Sequence, residues 1–151
     1  MSRNQLVVGE LTVTDSIIML GAKPFVQSAL AMQSLTPTVL TSGATVTLTA
    51  AQVLSGLISD TISAPSAATL PTPASIVTAI PGAKVGTSFD LVIRNSALSA
   101  IAITLTANGS STISGTATIA QNNAKTFRAV VTGVTPGAES VIFYSLGTSV
   151  F

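Results

Sequence analysis

Polar and apolar residues alternate along the C-terminal two-thirds of the chain. In residues 88–94, for example, Phe89, Leu91 and Ile93 fall on one side and mostly polar residues on the other. Because successive side chains of a β-strand point to opposite faces, this period of two predicts half-buried strands. The predicted strands are residues 45–49, 88–94, 101–106, 116–120, 126–132 and 140–146. The last of them is apolar on both faces, which predicts a central position in its sheet or a second buried face.

Turn-forming residues separate these runs at intervals of about 8–15 residues. That spacing is typical of an antiparallel sandwich or barrel, so we predict an all-β fold organised as an antiparallel β-sandwich. Asn108-Gly109-Ser110 matches a glycosylation sequon, but without an export signal the pair Asn108-Gly109 favours a tight type I′ hairpin turn. The pair Asn122-Asn123 favours a turn that tolerates a positive φ.

Two short helical turns are predicted between the strands. Thr49 is a suitable N-cap for the helical sequence that follows it, and Gly56 can end that helix. Thr72 is a suitable N-cap for a second helix, in which Pro73 occupies the first position and Pro81 follows the end. Helices this short are not stable alone, so we expect them to pack against the sandwich.

The first 40 residues have a different pattern. Residues 6–14 and 16–20 resemble strands, whereas residues 23–35 are apolar without a clear period. One interpretation is an N-terminal arm, residues 1–40, that packs on something outside a sandwich domain of residues 41–151. The alternative is that these residues supply the first strands of the same sandwich.

The composition indicates what kind of surface this chain presents. Only 7% of the residues are charged and 47% are hydrophobic, with a formal net charge of +1; an average soluble domain is about 25% charged. Low charge and high hydropathy favour burial of surface in an oligomer or a lattice over a purely hydroxyl-rich solvated surface. The basic residues are scattered, which argues against nucleic-acid binding. No apolar run is long enough for a membrane span, and the N-terminus lacks the pattern of a signal peptide, which predicts synthesis in the host cytoplasm.

The sequence contains few of the residue types that carry out catalysis. There is no His, Cys or Trp, so imidazole bases, thiolate nucleophiles, Cys or His metal ligands and disulfides are excluded. The acidic residues form no recognisable metal-binding loop or catalytic pair. We therefore expect no enzyme activity, no cofactor and no metal site.

Charged residues on predicted strands are candidates for an interface. Asp90 and Arg94 lie four residues apart on one strand, opposite its apolar face, and Arg128 has the same position on another strand. In a chain with so few ions, we expect one of these residues to pair across a subunit contact, where the guanidinium geometry is favourable. The alternative is an exposed pair of little energetic consequence.

Residues 41–146 resemble a known group of proteins. The segments TLTAAQVLSGLISDT, LPTPASIVTAIPGAKVGTSFDLVIRNSA and ITLTANGSSTISGTATIAQNNAKTFRAVVTGVTPGAESVIFYSL are similar to small β-sandwich structural domains of tailed phages and other viruses. The most specific part is residues 70–95. The resemblance implies a jelly-roll-like sandwich, a trimer, no chemistry and no cofactor, although fold alone does not determine function.

Together these observations predict a non-enzymatic viral structural protein: a homotrimeric capsid decoration protein that resides in the virion and attaches partly through its N-terminal arm. Its expected partners are copies of itself and capsid or other virion proteins. A fibre or spike domain that binds a host glycan or protein, and a filament subunit assembled by strand exchange, are the alternatives. The predicted interface residues are Leu6, Val8, Leu11, Val13, Ile17, Ile18, Leu20, Phe25, Leu30, Asp90, Arg94 and Arg128.

Overall fold

The computed structural model describes residue 40 and residues 43–151, which all belong to one compact unit. This part of the chain contains nine strands and two short helices. The strands are β1 (Thr45–Thr47), β2 (Leu57–Asp60), β3 (Ser66–Thr69), β4 (Ser88–Asn95), β5 (Ile103–Thr106), β6 (Ser111–Ser114), β7 (Thr118–Ile119), β8 (Asn123–Gly133) and β9 (Ser140–Val150). The helices are α1 (Ala50–Leu54) and α2 (Pro73–Ala79). The strands predicted in residues 6–20 lie outside the described residues. Leu40, the last residue of the predicted arm, is buried in the core of this unit, and the arm itself stays a prediction.

The strands form two sheets. One has four strands in the order β1-β3-β5-β7, and the other has five in the order β2-β4-β8-β9-β6. From β1 to β7, consecutive strands belong to opposite sheets. Between two neighbouring strands of one sheet, the chain therefore forms a strand in the other sheet and then returns. A connection of this length can place the two neighbouring strands parallel.

The prediction of an all-β, two-sheet fold is confirmed, but the prediction of antiparallel pairing is correct only in part. The pairs β4–β8, β8–β9 and β5–β7 are antiparallel, whereas β1–β3, β3–β5, β2–β4 and β6–β9 are parallel. A jelly roll is built from antiparallel strands, so the mixed sheets depart from that expectation. Alternation of side chains is the same in both directions of pairing, which is why the pattern could not distinguish them.

Both predicted helices begin where the sequence places them. The Thr49 side chain accepts a hydrogen bond from the Gln52 amide at 3.2 Å, and the Gln52 side chain accepts one from the Thr49 amide at 2.8 Å. This reciprocal capping box satisfies two otherwise unpaired donors of α1. In α2, Thr72 caps the Ser75 amide and Pro73 opens the helix. Val53 and Ile76 are fully buried, so each helix contributes to the core.

The core lies between the two sheets and is aliphatic with two central phenylalanines. Phe127 and Phe143 are fully buried on β8 and β9, and Phe89 meets Phe143 edge to face with a centroid distance of 6.2 Å. Apolar residues of the four-stranded sheet, including Ile103 and Ile119, belong to the same cluster. The alternating strand pattern of the sequence thus predicts the buried faces correctly.

A buried asparagine connects the two sheets. Asn95, at the end of β4, is fully buried. Its side-chain amide donates to the carbonyls of Ile101 (2.9 Å) and Ile119 (3.0 Å), and its carbonyl oxygen accepts from the Ala97 amide (3.1 Å). Since Ile119 belongs to β7 of the other sheet, these bonds fix one end of the sandwich while satisfying a polar group that would otherwise be costly to bury.

The predicted type I′ hairpin at Asn108-Gly109 is wrong. This turn leads from β5 to β6, which belong to different sheets, and Gly109 has a positive φ of 58° whereas Asn108 does not. A type I′ turn requires a positive φ at both positions. The prediction for Asn122 is confirmed, because its φ is 55°.

Candidate assembly surface

In the described part of the chain, the second half of β9, residues 145–150, is paired with a strand along one edge only. Strand β6 pairs with the first half of β9, from Ser111 opposite Val141 to Ser114 opposite Tyr144. The chain then leaves the sheet at Gly115, where φ is 99° and a Cβ would lie 3.0 Å from the Cβ of Ser145. Beyond this point β8 continues to pair with β9 as far as Val150. Among the described residues, no strand pairs with the other edge of residues 145–150.

This open edge carries the largest concentration of exposed apolar side chains in the described part of the chain. Leu146 is 56% exposed, Val150 79%, and the adjacent Phe151 51%. The pairing between β8 and β9 shifts by one residue at Leu146, because Phe127 faces Ser145 while Thr126 faces Gly147. Such a bulge increases the local twist of the strand.

A shallow groove of about 370 Å³ runs beside the edge and is lined by Thr126, Leu146, Gly147, Thr148 and Ser149. None of these residues is charged, and residues 145–151 contain neither a charged residue nor a proline. The surface therefore offers backbone groups and small or apolar side chains without a cost for desolvating ions.

The other ends of the sheets differ from this edge. Strands β1 and β7 contain three and two residues, and the edge strand β2 contains four. Strand β2 also carries the inward-pointing acid Asp60, which is 5% exposed. Short edge strands and inward charges are common protection against unwanted strand pairing. Residues 145–150 have neither kind of protection.

Asp90 and Arg128 form an ion pair on the outer face of the five-stranded sheet. They face each other on β4 and β8, with Nε to Oδ1 at 2.8 Å and Nη2 to Oδ2 at 2.9 Å. The hydrogen bond from Arg128 lowers the pKa of Asp90 below its ordinary value. The pairing lies within one chain; whether either residue also pairs across a subunit contact stays a prediction.

Arg94 contacts the C-terminal aromatic residue. Its guanidinium carbon lies 4.0 Å from the centroid of the Phe151 ring, a distance at which the cation is attracted to the face of the ring. Arg94 thereby fixes Phe151 on the outer face, next to the end of β9. The two residues were not linked by any pattern in the sequence.

Two buried ionisable groups, Lys125 and Asp60, lie inside the sandwich, and Lys125 is the β8 residue opposite Thr148. Lys125 is 4% exposed and donates from Nζ to the Thr116 carbonyl at 3.1 Å. Burial raises the pKa of Asp60, although the Thr61 amide, which donates to its Oδ1 at 2.8 Å, and the backbone of Leu40 both act to lower it. Within the described residues, no group of three His, Cys, Asp or Glu side chains could hold a metal ion, and no helix is long and apolar enough to cross a membrane.

The structure places three of the predicted interface residues, Asp90, Arg94 and Arg128, on the outer face of the five-stranded sheet. The other nine lie outside the described residues: Leu6, Val8, Leu11, Val13, Ile17, Ile18, Leu20, Phe25 and Leu30. The sequence analysis missed residues 145–151 as a surface. The absence of charge over these positions was the available signal.

Comparisons of the chain with protein-family models, with curated protein sequences and with solved structures find no match.

Proposed function

We propose that this protein is a non-enzymatic structural component of a viral particle that works by associating with copies of itself and with the particle surface. In its most specific form, the proposal is a homotrimeric capsid decoration protein whose residues 1–40 contribute to attachment. The observation that carries it is the open, uncharged strand edge of residues 145–150, with the exposed apolar side chains of Leu146, Val150 and the adjacent Phe151.

Three further features support the proposal. A formal net charge of +1 gives little electrostatic repulsion between copies. The exposed apolar side chains lie together at the end of one strand instead of being scattered singly, which is typical of interaction sites. The resemblance of residues 41–146 to jelly-roll-like sandwich domains of phages and other viruses provides the particle setting and the trimer.

The oligomeric state of the full-length chain tests the first part. We expect light scattering at low micromolar concentration to give the mass of three chains, or a multiple of that mass where trimers associate further. A stable monomer under these conditions would overturn self-association, and a stable dimer would overturn the trimer.

Particle attachment tests the second part. Sedimentation of the full-length chain with capsids of the virus that encodes it should show saturable binding. Leu11→Asp should weaken this binding without changing the oligomer mass, whereas Thr12→Asp, a neighbouring polar position, should have a smaller effect. Equal binding by both variants and by the unmodified chain would contradict a role for the arm.

One observation favours a fibre or spike domain as the second candidate function. Asp90, Arg128 and Tyr144 form a row across β4, β8 and β9, since Arg128 faces both of the other residues. Tyr144 is 41% exposed, and an aromatic ring beside carboxylate and guanidinium groups can bind a sugar by stacking and hydrogen bonding. A reproducible signal on a glycan array that is lost in Tyr144→Ala would favour this alternative.

A further inference from the structure

We propose that residues 145–150 of two copies pair with each other as antiparallel strands about a two-fold axis at Thr148, so that two five-stranded sheets become continuous. The inference rests on the proposed self-assembly and specifies one contact within it. In a trimeric protein, this contact joins one trimer to the next.

The free edge is long enough for strand pairing. It contains six residues, about the usual length of a strand in a globular protein. It begins where β6 leaves the sheet at Gly115, and β8 holds it in extended conformation as far as Val150. A strand in this position presents backbone donors and acceptors that another strand can satisfy.

The residues along the edge are complementary to themselves. Counting by two from Val150 gives Thr148 on the same side of the strand, and Leu146 lies at the bulge that begins this edge. In an antiparallel pair centred on Thr148, each Leu146 lies opposite the Val150 of the second copy, and the two Thr148 residues lie opposite each other. The two large apolar side chains that are 56% and 79% exposed would thus bury each other twice in one contact.

The opposite side of the strand permits the same pairing. There Gly147 lies opposite Ser149 of the second copy, and neither side chain is large enough to obstruct the approach. Because a two-fold axis places identical residues near one another, any charge in the segment would face a like charge or lie close to it. Residues 145–150 contain none. The segment is therefore complementary to a second copy of itself, and for this reason we prefer a second copy to an unrelated strand as its partner.

The absence of cysteine from the sequence makes a direct test possible in the full-length protein. Thr148→Cys introduces a single thiol that, at the proposed axis, faces its own copy at a distance compatible with a disulfide. Thr104→Cys is the matched control, because Thr104 is an exposed strand threonine on the other sheet. We expect mild oxidation at low micromolar concentration to give about tenfold more covalent dimer for Thr148→Cys than for the control, since pairing raises the effective thiol concentration.

A mixing experiment tests the register. Equal amounts of Leu146→Cys and Val150→Cys chains should form the mixed disulfide in preference to either homodimer, because each of these positions faces the other across the axis. Homodimers formed as readily as the mixed species would exclude this register.

The results separate the pairing from the wider proposal. If the unmodified chain has the mass of three chains but Thr148→Cys cross-links no faster than Thr104→Cys, the edge contact is wrong and trimeric assembly stands. If Thr148→Cys cross-links as expected but the unmodified chain never exceeds two chains, the edge contact stands and the trimer is wrong.

Discussion

The two halves of β9 belong to one continuous strand and have opposite surroundings. In the first half, Val141 and Phe143 are buried between the sheets, and the strand lies between β8 and β6. In the second half, all residues from Leu146 to Val150 are exposed. Both halves contain small and apolar residues without charge. The difference arises from the neighbour: β6 ends beside Tyr144, and the apolar character that fills the core in one half remains on the surface in the other.

This comparison shows why exposed hydrophobic residues at the end of β9 are informative. Residues 145–150 stay paired with β8 after β6 has ended, which leaves six uncharged residues with one unpaired edge. Natural edge strands are usually short, charged or interrupted by proline. The second half of β9 has a bulge at Leu146, which is another common feature of protected edges, but it contains no charge and no proline. The first half needs no protection because it is paired on both sides.

The largest expected effect is a change in the buried half. Phe143→Ala removes a fully buried ring that packs edge to face on Phe89, and we expect a loss of about 3–5 kcal/mol in the free energy of unfolding. Leu146→Ala, three residues further along, should change it by less than about 0.5 kcal/mol. Urea denaturation of both variants measures the difference, and equal losses would contradict the contrast between the two halves.

The second prediction concerns the polar link that holds the buried region together. Asn95→Ala leaves the carbonyls of Ile101 and Ile119 and the amide of Ala97 without their partner. Because each unsatisfied buried group is costly, we expect a loss of about 3 kcal/mol in the free energy of unfolding. Asn123→Ala, at the half-buried position opposite Asn95 on β8, is the control and should cost much less. A similar loss in both variants would show that Asn95 is not a special connection.

The third prediction is a pH dependence that arises from the buried interior and not from the open edge. Burial raises the pKa of Asp60, so the folded state binds this proton more tightly than the unfolded chain. Its contribution to stability is therefore present at acidic pH and is lost as the pH rises through the folded-state pKa. We expect Asp60→Asn to increase the free energy of unfolding at pH 7 by about 1 kcal/mol, because the neutral amide avoids part of the cost of burying a charge.

The difference between Asp60→Asn and the unmodified chain should shrink as the pH is lowered towards the ordinary value of 3.8. Asp90 has the opposite behaviour, because its pKa is lowered and its contribution is lost in acid. Since Asp90 is present in both proteins, its effect cancels in the comparison. A constant difference at all pH values would show that Asp60 is not the titrating group.

The buried parts of the fold could be predicted from the sequence to a greater extent than the surface. The cap at Thr49, the proline-initiated helix after Thr72 and the apolar face of β4 follow from local rules that act within a few residues. Strands β2, β3 and β6 were not predicted, because Leu57–Asp60, Ser66–Thr69 and Ser111–Ser114 are too short to show a clear period. The parallel direction of pairing and the early end of β6 depend on distant parts of the chain. A central position was one of the two alternatives predicted for residues 140–146, and the structure shows it for the first half of β9. The exposed second half, which begins before residue 146, was not recognised.

The smallest effect on stability is expected for a substitution at the edge itself. Such a substitution should alter association and leave folding almost unchanged. Leu146→Lys places a charge on the open edge, a common protection against strand pairing. Since Leu146 is 56% exposed, we expect the free energy of unfolding to change by less than about 0.5 kcal/mol, while cross-linking of Thr148→Cys in the same chain falls to the level of Thr104→Cys. Leu98→Lys is the matched control, because Leu98 is 90% exposed and lies outside the strands; it should leave the cross-linking unchanged. If both lysines reduce cross-linking equally, net charge and not the strand edge governs association, and the contrast between the two halves of β9 has no role in assembly.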